Sequence, residues 1–426
     1  MSRLCEQSSG IESLSRLVSW TFRSCVRSNT TLGRMRIVQA LHAIDLRAGG
    51  PARVVVDLSA VLASRGHEIV IATENPRDVS PAWMTSPTQG LPTCVTLPSL
   101  GWQIWNASFR RAVENVLANA DLVHLHGLWE PFNLRVASIA RRMGIPYIVT
   151  LHGMLDDWCM AQRTAKKQIY LAVAGRKMLE NAAAVHCTAA AELAQSQKWF
   201  SKLQGTVIPN LVDLSAYENL PGADEARARF AFLSTPNPKL IFLSRISPKK
   251  GCEHLLECVE ILRGRGILAD VVIAGTGPAE YVETLKALAD RRGIADAIHF
   301  IGHIDGSLKI SLLQAGDLLV IPTSQENFGL VFFEALAAGL PVVTTNLVDT
   351  KDELAQSGAG WIVPQNATAF ADTIEMIMKN PSDVAERKQR GRRWIFDNLA
   401  TSAIACQIES MYKNVSSTLN QKRHKR

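Results

Sequence analysis

The sequence has no run of eighteen apolar residues, so nothing in it reads as a membrane-spanning helix. No secretory signal peptide is expected either. The stretch 15–23 is weakly amphipathic, without the apolar segment and small-residue cleavage site that such a signal needs. There is no Walker phosphate loop and no Asp-x-Asp pair, which removes two common ways of holding a nucleotide and its metal. The eight cysteines show no pairing pattern, which suits a reducing cytoplasm and thiols used as small core residues. Cys252, His254 and Cys258 fall within one predicted helix with no second ligand pair behind them, so a zinc site is not expected. Excess charge is also missing where it would matter. Residues 1–34 carry +3 and the last six +4, which accounts for the net +7 and leaves 35–420 neutral. A nucleic-acid partner is therefore not indicated.

What is present is alternation. Short apolar runs at 35–41, 67–73, 122–126, 146–151, 184–187 and 206–209 read as buried strands of a first half. Runs at 240–243, 270–274, 298–301, 318–321, 342–345 and 361–363 do the same in a second. Between them lie stretches with apolar residues at helical spacing, such as 52–63 and 252–262. Strands alternating with helices of this length predict an α/β chain with parallel sheets and right-handed crossovers. Turn signals at Pro221-Gly222 and at Thr235-Pro236-Asn237-Pro238 place a linker at 216–238. The expected organisation is a disordered extension at 1–34 (or a start codon placed too early), domains at 35–215 and 239–400, a helix at 401–420 and a basic tail at 421–426.

The most informative stretch is 326–341. Glu326 and Glu334 stand eight positions apart around Asn327-Phe328-Gly329-Leu330, between two strand-like runs. Glu326 thus falls in a strand-to-helix turn, where open parallel sheets bind ligands. Glu334 lies further along on an otherwise apolar helix, where an unpartnered carboxylate is costly and must meet hydroxyls or be neutralised. Upstream, Arg245 and Lys250 stand in the loop after the first strand of the second half, with Gly251 behind them. They are suited to phosphate oxygens, the first as a planar fork and the second as a point charge. Lys249 reads as the solvated neighbour.

The Glu326–Glu334 string resembles the E-x7-E signature of retaining, family 4-type glycosyltransferases, the glycosyl transferases group 1 of the GT-B fold. The loop from Arg245 to Gly251 resembles the same family's Arg-x4-Lys-Gly loop. The resemblance spans most of 35–415 and implies two Rossmann-like domains with parallel sheets facing a central cleft. It implies a donor site for a nucleotide-diphosphate sugar, with Arg245 and Lys250 on the diphosphate. Glu326 would meet the donor sugar and Glu334 the ribose, with Asn327, Phe328, Gly329 and Leu330 around them. Gly275 and Gly277 would lie near the nucleotide, and His303 and Ile304 near its base. Gly49 and Gly50 match the family's glycine loop, and His152, in Thr-x-His-Gly, its histidine beside the transferred sugar. His126 is a second candidate, while His124 is expected on the opposite face of its strand. Trp129 and Trp158 are candidates for stacking on an acceptor sugar.

Transfer of a hexosyl group with retention, without metal or other cofactor, to a saccharide or lipid-linked acceptor is the implied activity, in cell-surface polysaccharide or glycolipid assembly. The last helix would cross back onto the first domain. Leu211 departs from the pattern, since relatives often have Gly there, but Asn210 and Asp213 remain. The basic stretch Arg163, Lys166, Lys167, Arg176 and Lys177, with Ile169, Tyr170, Leu171 and Met178, suggests peripheral contact with an anionic membrane at its inner face. A nucleotide-sugar epimerase of the same architecture and a non-catalytic carbohydrate-binding relative are the alternatives.

Overall fold

The computed structural model describes residues 33–47, 49–85, 87–100, 106–200 and 205–423. The expected N-terminal extension up to residue 32, and residues 424–426 of the basic tail, lie outside them. Two parallel sheets organise the described residues. The first contains β1 (Arg36–Ala40), β2 (Glu68–Thr73), β3 (Thr93–Thr96), β4 (Leu122–His126), β5 (Tyr147–Thr150), β6 (Ala184–Cys187) and β7 (Gly205–Val207), in the order 3-2-1-4-5-6-7. The second contains β8 (Lys239–Leu243), β9 (Asp270–Ala274), β10 (Ile298–Gly302), β11 (Leu318–Ile321), β12 (Val342–Thr345) and β13 (Gly360–Val363), in the order 10-9-8-11-12-13. In each sheet the order reverses beside its first strand, between β1 and β4 and between β8 and β11. Chain leaving the carboxyl ends of these strand pairs opens into a crevice, which is where this architecture places ligands.

The strands form here because helices cover both faces of each sheet, so continuous apolar runs can be buried on both sides. Leu240, Ile241 and Phe242 of β8 and Val271, Val272 and Ile273 of β9 are fully buried. β3 was not expected from the sequence. It is a four-residue edge strand paired only with β2, too short and too mixed in polarity to give a pattern.

The segment expected as a linker is itself folded. A helix at Asp224–Arg229 lays the fully buried Ala226 against the Gly306–Ala315 helix, and the Ala226 N–H donates to Ser311 Oγ at 3.0 Å. Its lower end therefore belongs with the second sheet. The terminal helix, Thr401–Arg423, returns to the first sheet. Arg65 grips Glu409 through two hydrogen bonds of 2.6 and 2.8 Å, and the buried Tyr412 hydroxyl meets Gln39 at 3.1 Å and His124 at 2.7 Å.

Candidate active site

Chain leaving β8 builds one wall of the crevice. Two tight approaches fix its path. The Ile246 N–H donates to the Thr276 carbonyl at 2.8 Å, and a Cβ on Gly277 would sit 2.1 Å from the Ile246 carbonyl oxygen. A Cβ on Gly275 would come within 1.9 Å of the Ser244 oxygen. The Gly275–Gly277 turn thus acts as a shelf beneath Arg245, and neither glycine lines the crevice itself. Gly251 ends this loop at φ +70°, where a side chain would strike the Pro322 carbonyl at 2.1 Å. That approach brings Lys250 onto the chain leaving β11, where its ammonium pairs with Glu326. The Ser324 N–H donates to the Lys249 carbonyl at 2.8 Å, which seals the two loops together.

Lys249 is not the solvated neighbour it was expected to be. With its carbonyl tied to Ser324, its side chain is turned into the crevice, 4.4 Å from the ring centre of Trp158 on the opposite wall. Burial there lowers its pKa, opposed by Glu326.

Glu326 is held by its own backbone, whose carbonyl accepts from the Asp349 N–H at 2.9 Å. Phe328 is buried, and Gly329 turns the chain at φ +67°, where a Cβ would collide with the Phe332 ring at 2.4 Å. Leu330 then opens the Leu330–Ala337 helix, with its positive dipole end at the crevice. Asn327 crosses the crevice, its amide 3.0 Å from Thr188 Oγ1.

The first half supplies the facing wall. Gly49, at φ +138°, leaves the Arg245 guanidinium 3.7 Å from the position of an added Cβ, and Gly50 with Pro51 starts the Gly50–Ser64 helix. His152 follows β5 in a left-handed conformation, φ +53°, which is strained for a residue with a side chain. Its Nε2 lies 3.0 Å from Nδ1 of the buried His126. His124 does not point away from His126, as expected: residues two apart on a strand share a face, and the two rings lie 4.3 Å apart.

Together these walls enclose a crevice of about 440 Å³ lined by Gly49, Gly50, His152, Arg245, Lys250, Glu326, Asn327, Phe328, Gly329 and Leu330. Sequence reasoning overlooked Gln325 and did not tie Asp156 or Asn210 to the crevice, which all three line. Asp156 caps the Asp157–Ala161 helix and accepts from the Gln325 amide across the crevice; burial raises its pKa. A short polar residue just before a helix was a usable signal for Asp156; nothing local marks Gln325.

Besides Gly275 and Gly277, four more expected site residues lie outside the crevice lining. His126 sits behind His152. Glu334 faces Lys309, whose ammonium is 2.8 Å from Oε1, so the costly carboxylate has been neutralised by a partner from another helix. The His303 side chain is 71% exposed beside Asp305, whereas Ile304 is buried in the apolar core. Trp158 stands at the crevice, while Trp129 packs edge-on against Tyr170.

Residues 49–210 match the family described as glycosyl transferase 4-like domain, and residues 224–394 the family described as glycosyl transferases group 1. The chain is 24% identical to a glycogen synthase of Mycobacterium tuberculosis, covering 85% of this chain and 91% of that one. It is 26% identical to the phosphatidyl-myo-inositol mannosyltransferase of the same species, over 86% and 94%. The structure of Anabaena HepE in complex with UDP-glucose superposes with a TM-score of 0.71 at 18% identity, over 91% of this chain and all of that one. The two matches together span most of both halves, and the chain belongs to the glycosyl transferases group 1, the family 4 retaining glycosyltransferases of GT-B fold.

Proposed function

We propose that the crevice transfers a hexosyl group from a nucleoside-diphosphate sugar to a saccharide or lipid-linked acceptor, without a metal. The observation that carries this reading is the convergence of Arg245, Lys249, Lys250 and the Leu330–Ala337 helix start on one wall, facing Gly49 and His152. Three cations and a helix N-terminus suit a departing diphosphate. Glu326, paired with Lys250, is available to the hydroxyls of the transferred sugar. The family resemblance, rather than the crevice lining, assigns Glu334 to the ribose and the 302–304 turn to the base.

Retention follows from displacement on a single face. The anomeric carbon–oxygen bond to the diphosphate breaks, and the acceptor oxygen bonds to the same carbon from the same side. The acceptor proton passes to the departing phosphate oxygen, whose charge Arg245 and Lys250 stabilise. No side-chain nucleophile is required.

The HepE complex makes UDP-glucose the first donor to try. A thermal-shift panel of UDP, GDP, ADP and their sugars is expected to single out one base, with turnover that persists in EDTA. No shift with any nucleotide would sink the reading, and strict dependence on added Mn²⁺ would remove the metal-free mechanism.

A lipid-linked acceptor is favoured by one surface. Around a π-helical turn at Leu171–Gly175, Ile169 and Val173 are 65% and 76% exposed, and Arg163, Lys166, Arg176 and Lys177 are exposed beside them. Apolar side chains ringed by cations fit an anionic bilayer face. This surface adjoins the crevice through Lys167, whose ammonium lies 3.0 Å from the Cys159 sulfur. Flotation with anionic but not neutral liposomes is expected, and equal behaviour with both would remove the membrane from the proposal.

A further inference from the structure

Behind His152 the first half contains an unbroken hydrogen-bond chain. His152 Nε2 meets His126 Nδ1 at 3.0 Å, and His126 Nε2 meets Gln39 Oε1 at 2.8 Å. The Gln39 amide donates to the Tyr412 hydroxyl at 3.1 Å, and Tyr412 meets His124 Nδ1 at 2.7 Å. His124 Nε2 reaches Thr150 Oγ1 at 2.6 Å, Thr150 reaches His186 Nδ1 at 2.8 Å, and His186 Nε2 ends on the Ile208 carbonyl at 2.8 Å. Gln39, His124, His126, Thr150, His186 and Tyr412 are all buried.

The far end sets the direction of every bond. A carbonyl only accepts, so His186 donates from Nε2. Burial keeps His186 neutral by lowering it to about 4, so its Nδ1 accepts from the Thr150 hydroxyl. Thr150 has one proton and has given it away, so it accepts from His124 Nε2. His124, neutral through burial, accepts at Nδ1 from Tyr412. The Tyr412 oxygen then accepts from the Gln39 amide, and Gln39 Oε1 accepts from His126 Nε2. This agrees with the orientation of the Gln39 amide. His126, also kept neutral by burial, accepts at Nδ1 from His152 Nε2. His152 itself is lowered to about 3 by burial, so its remaining nitrogen, Nδ1, carries no proton.

We propose that Gln39 and Tyr412 are positioning residues that, through His126, present His152 to the crevice as a hydrogen-bond acceptor alone, so that it takes a hydroxyl of the bound sugar and excludes a carboxylate there. The choice of a hydroxyl rests on the transferase reading; the polarity of His152 does not. Tyr412 lies on the terminal helix, so that helix takes part in setting the polarity of a side chain in the crevice wall built by the first half.

Gln39→Glu is the sharpest test because it is nearly isosteric and does not touch the crevice. A carboxylate at 39 recruits a proton onto His126, whose Nδ1 then donates to His152 Nε2. His152 is forced to carry its proton on Nδ1, and the polarity toward the crevice is reversed. Proton–nitrogen correlation spectra of imidazole-labelled full-length protein read this directly, with His152 assigned by its loss in His152→Gln. In the parent protein His152 is expected as the neutral Nε2–H tautomer. In Gln39→Glu it is expected as the Nδ1–H tautomer, and in Tyr412→Phe, which keeps the ring but cuts the chain, as a mixture of the two. A parent His152 protonated on Nδ1, or a His152 signal unchanged in both folded variants, overturns the proposal. If Gln39→Glu does not fold, Tyr412→Phe alone decides.

The second readout is turnover. With the donor that the thermal-shift panel identifies, Gln39→Glu should lower kcat at least about tenfold with little change in donor KM, and should narrow the gap between hexosyl and uronosyl donors. An unchanged kcat and an unchanged ratio remove the assigned hydroxyl. The imidazole spectra need no donor, so a failure there condemns the relay whatever the chain transfers. A failure of every donor to bind, with the spectra as expected, condemns the transferase reading and the hydroxyl with it.

Discussion

The two halves place their polar residues differently. In the second, the middles of β8, β9 and β11 are apolar and fully buried, the buried polar groups (Thr344 and Thr345 of β12, and Lys239 with Asp270) are each satisfied by near neighbours, and the chemistry sits beyond the strand ends on Arg245, Lys250 and Glu326. In the first, polarity runs into the sheet through Gln39, His124, His126, Thr150 and His186, and is completed by Tyr412 from the far end of the chain. The second half therefore has a reactive rim that no buried polar chain connects to its interior. The first has a rim whose properties depend on its interior. A change at the rim of the second should cost chemistry alone, whereas a change inside the first should cost stability as well.

The strongest break of that contrast is Arg245→Ala. Loss of one charge from a leaving-group site is expected to slow transfer by about 10²–10³ with the melting temperature unchanged. A parallel loss of stability would mean that the rim also supports the core. Glu409→Gln probes the first half's tie to the terminal helix. Burial pushes the Glu409 carboxyl up, but the hydrogen bonds from Arg65 and His67 outweigh it and hold the group at about 2. A depressed carboxyl stabilises the fold above its unfolded pKa, and that contribution disappears as pH falls through the folded value. Glu409→Gln should thus cost about 2 kcal/mol at neutral pH, discounted because Arg65 is partly exposed, and the deficit should shrink as pH drops from about 5 to 2. Denaturant titrations at several pH values check it, and a deficit independent of pH would contradict the pairing.

The mildest comparison uses two glycines. Gly66, at φ +98° with open space around it, should lose about 1 kcal/mol on mutation to Ala, through backbone strain alone and with full activity. Gly277→Ala meets the Ile246 carbonyl and must displace the Arg245 loop, so its loss of turnover should exceed its loss of stability. Equal activity in the two variants would mean that the shelf does not position Arg245.

Much of this was legible in the sequence because it is local. Apolar runs such as 318–321 and 342–345 match β11 and β12 to the residue, since burial on both faces leaves few other residue types possible. The Glu326–Glu334 string declared its turn because one glycine and one helix start create it. What escaped depends on partners far away in the chain. Lys309 neutralises Glu334 from another helix, Gln325 reaches Asp156 across the crevice, and Lys249 turns inward because Ser324 holds its carbonyl. The face of His124 was different in kind: the twofold repeat of a strand already placed it beside His126. The folded state of 224–229 was hidden by turn-forming residues on both sides of a single buried alanine.

The Gln39–Tyr412 bond has a consequence for synthesis. The two residues are 373 positions apart, so when Gln39 leaves the ribosome its partner has not been translated. The first sheet can pair all its strands by Val207 and still contain an amide and an imidazole without their shared hydroxyl. Closing so long a loop is left to the end, after the second half has folded as a unit. The docking of the Thr401–Arg423 helix and the setting of the His152 proton are then one step, and a chain cut short before residue 412 would carry both walls of the crevice with the histidine unset.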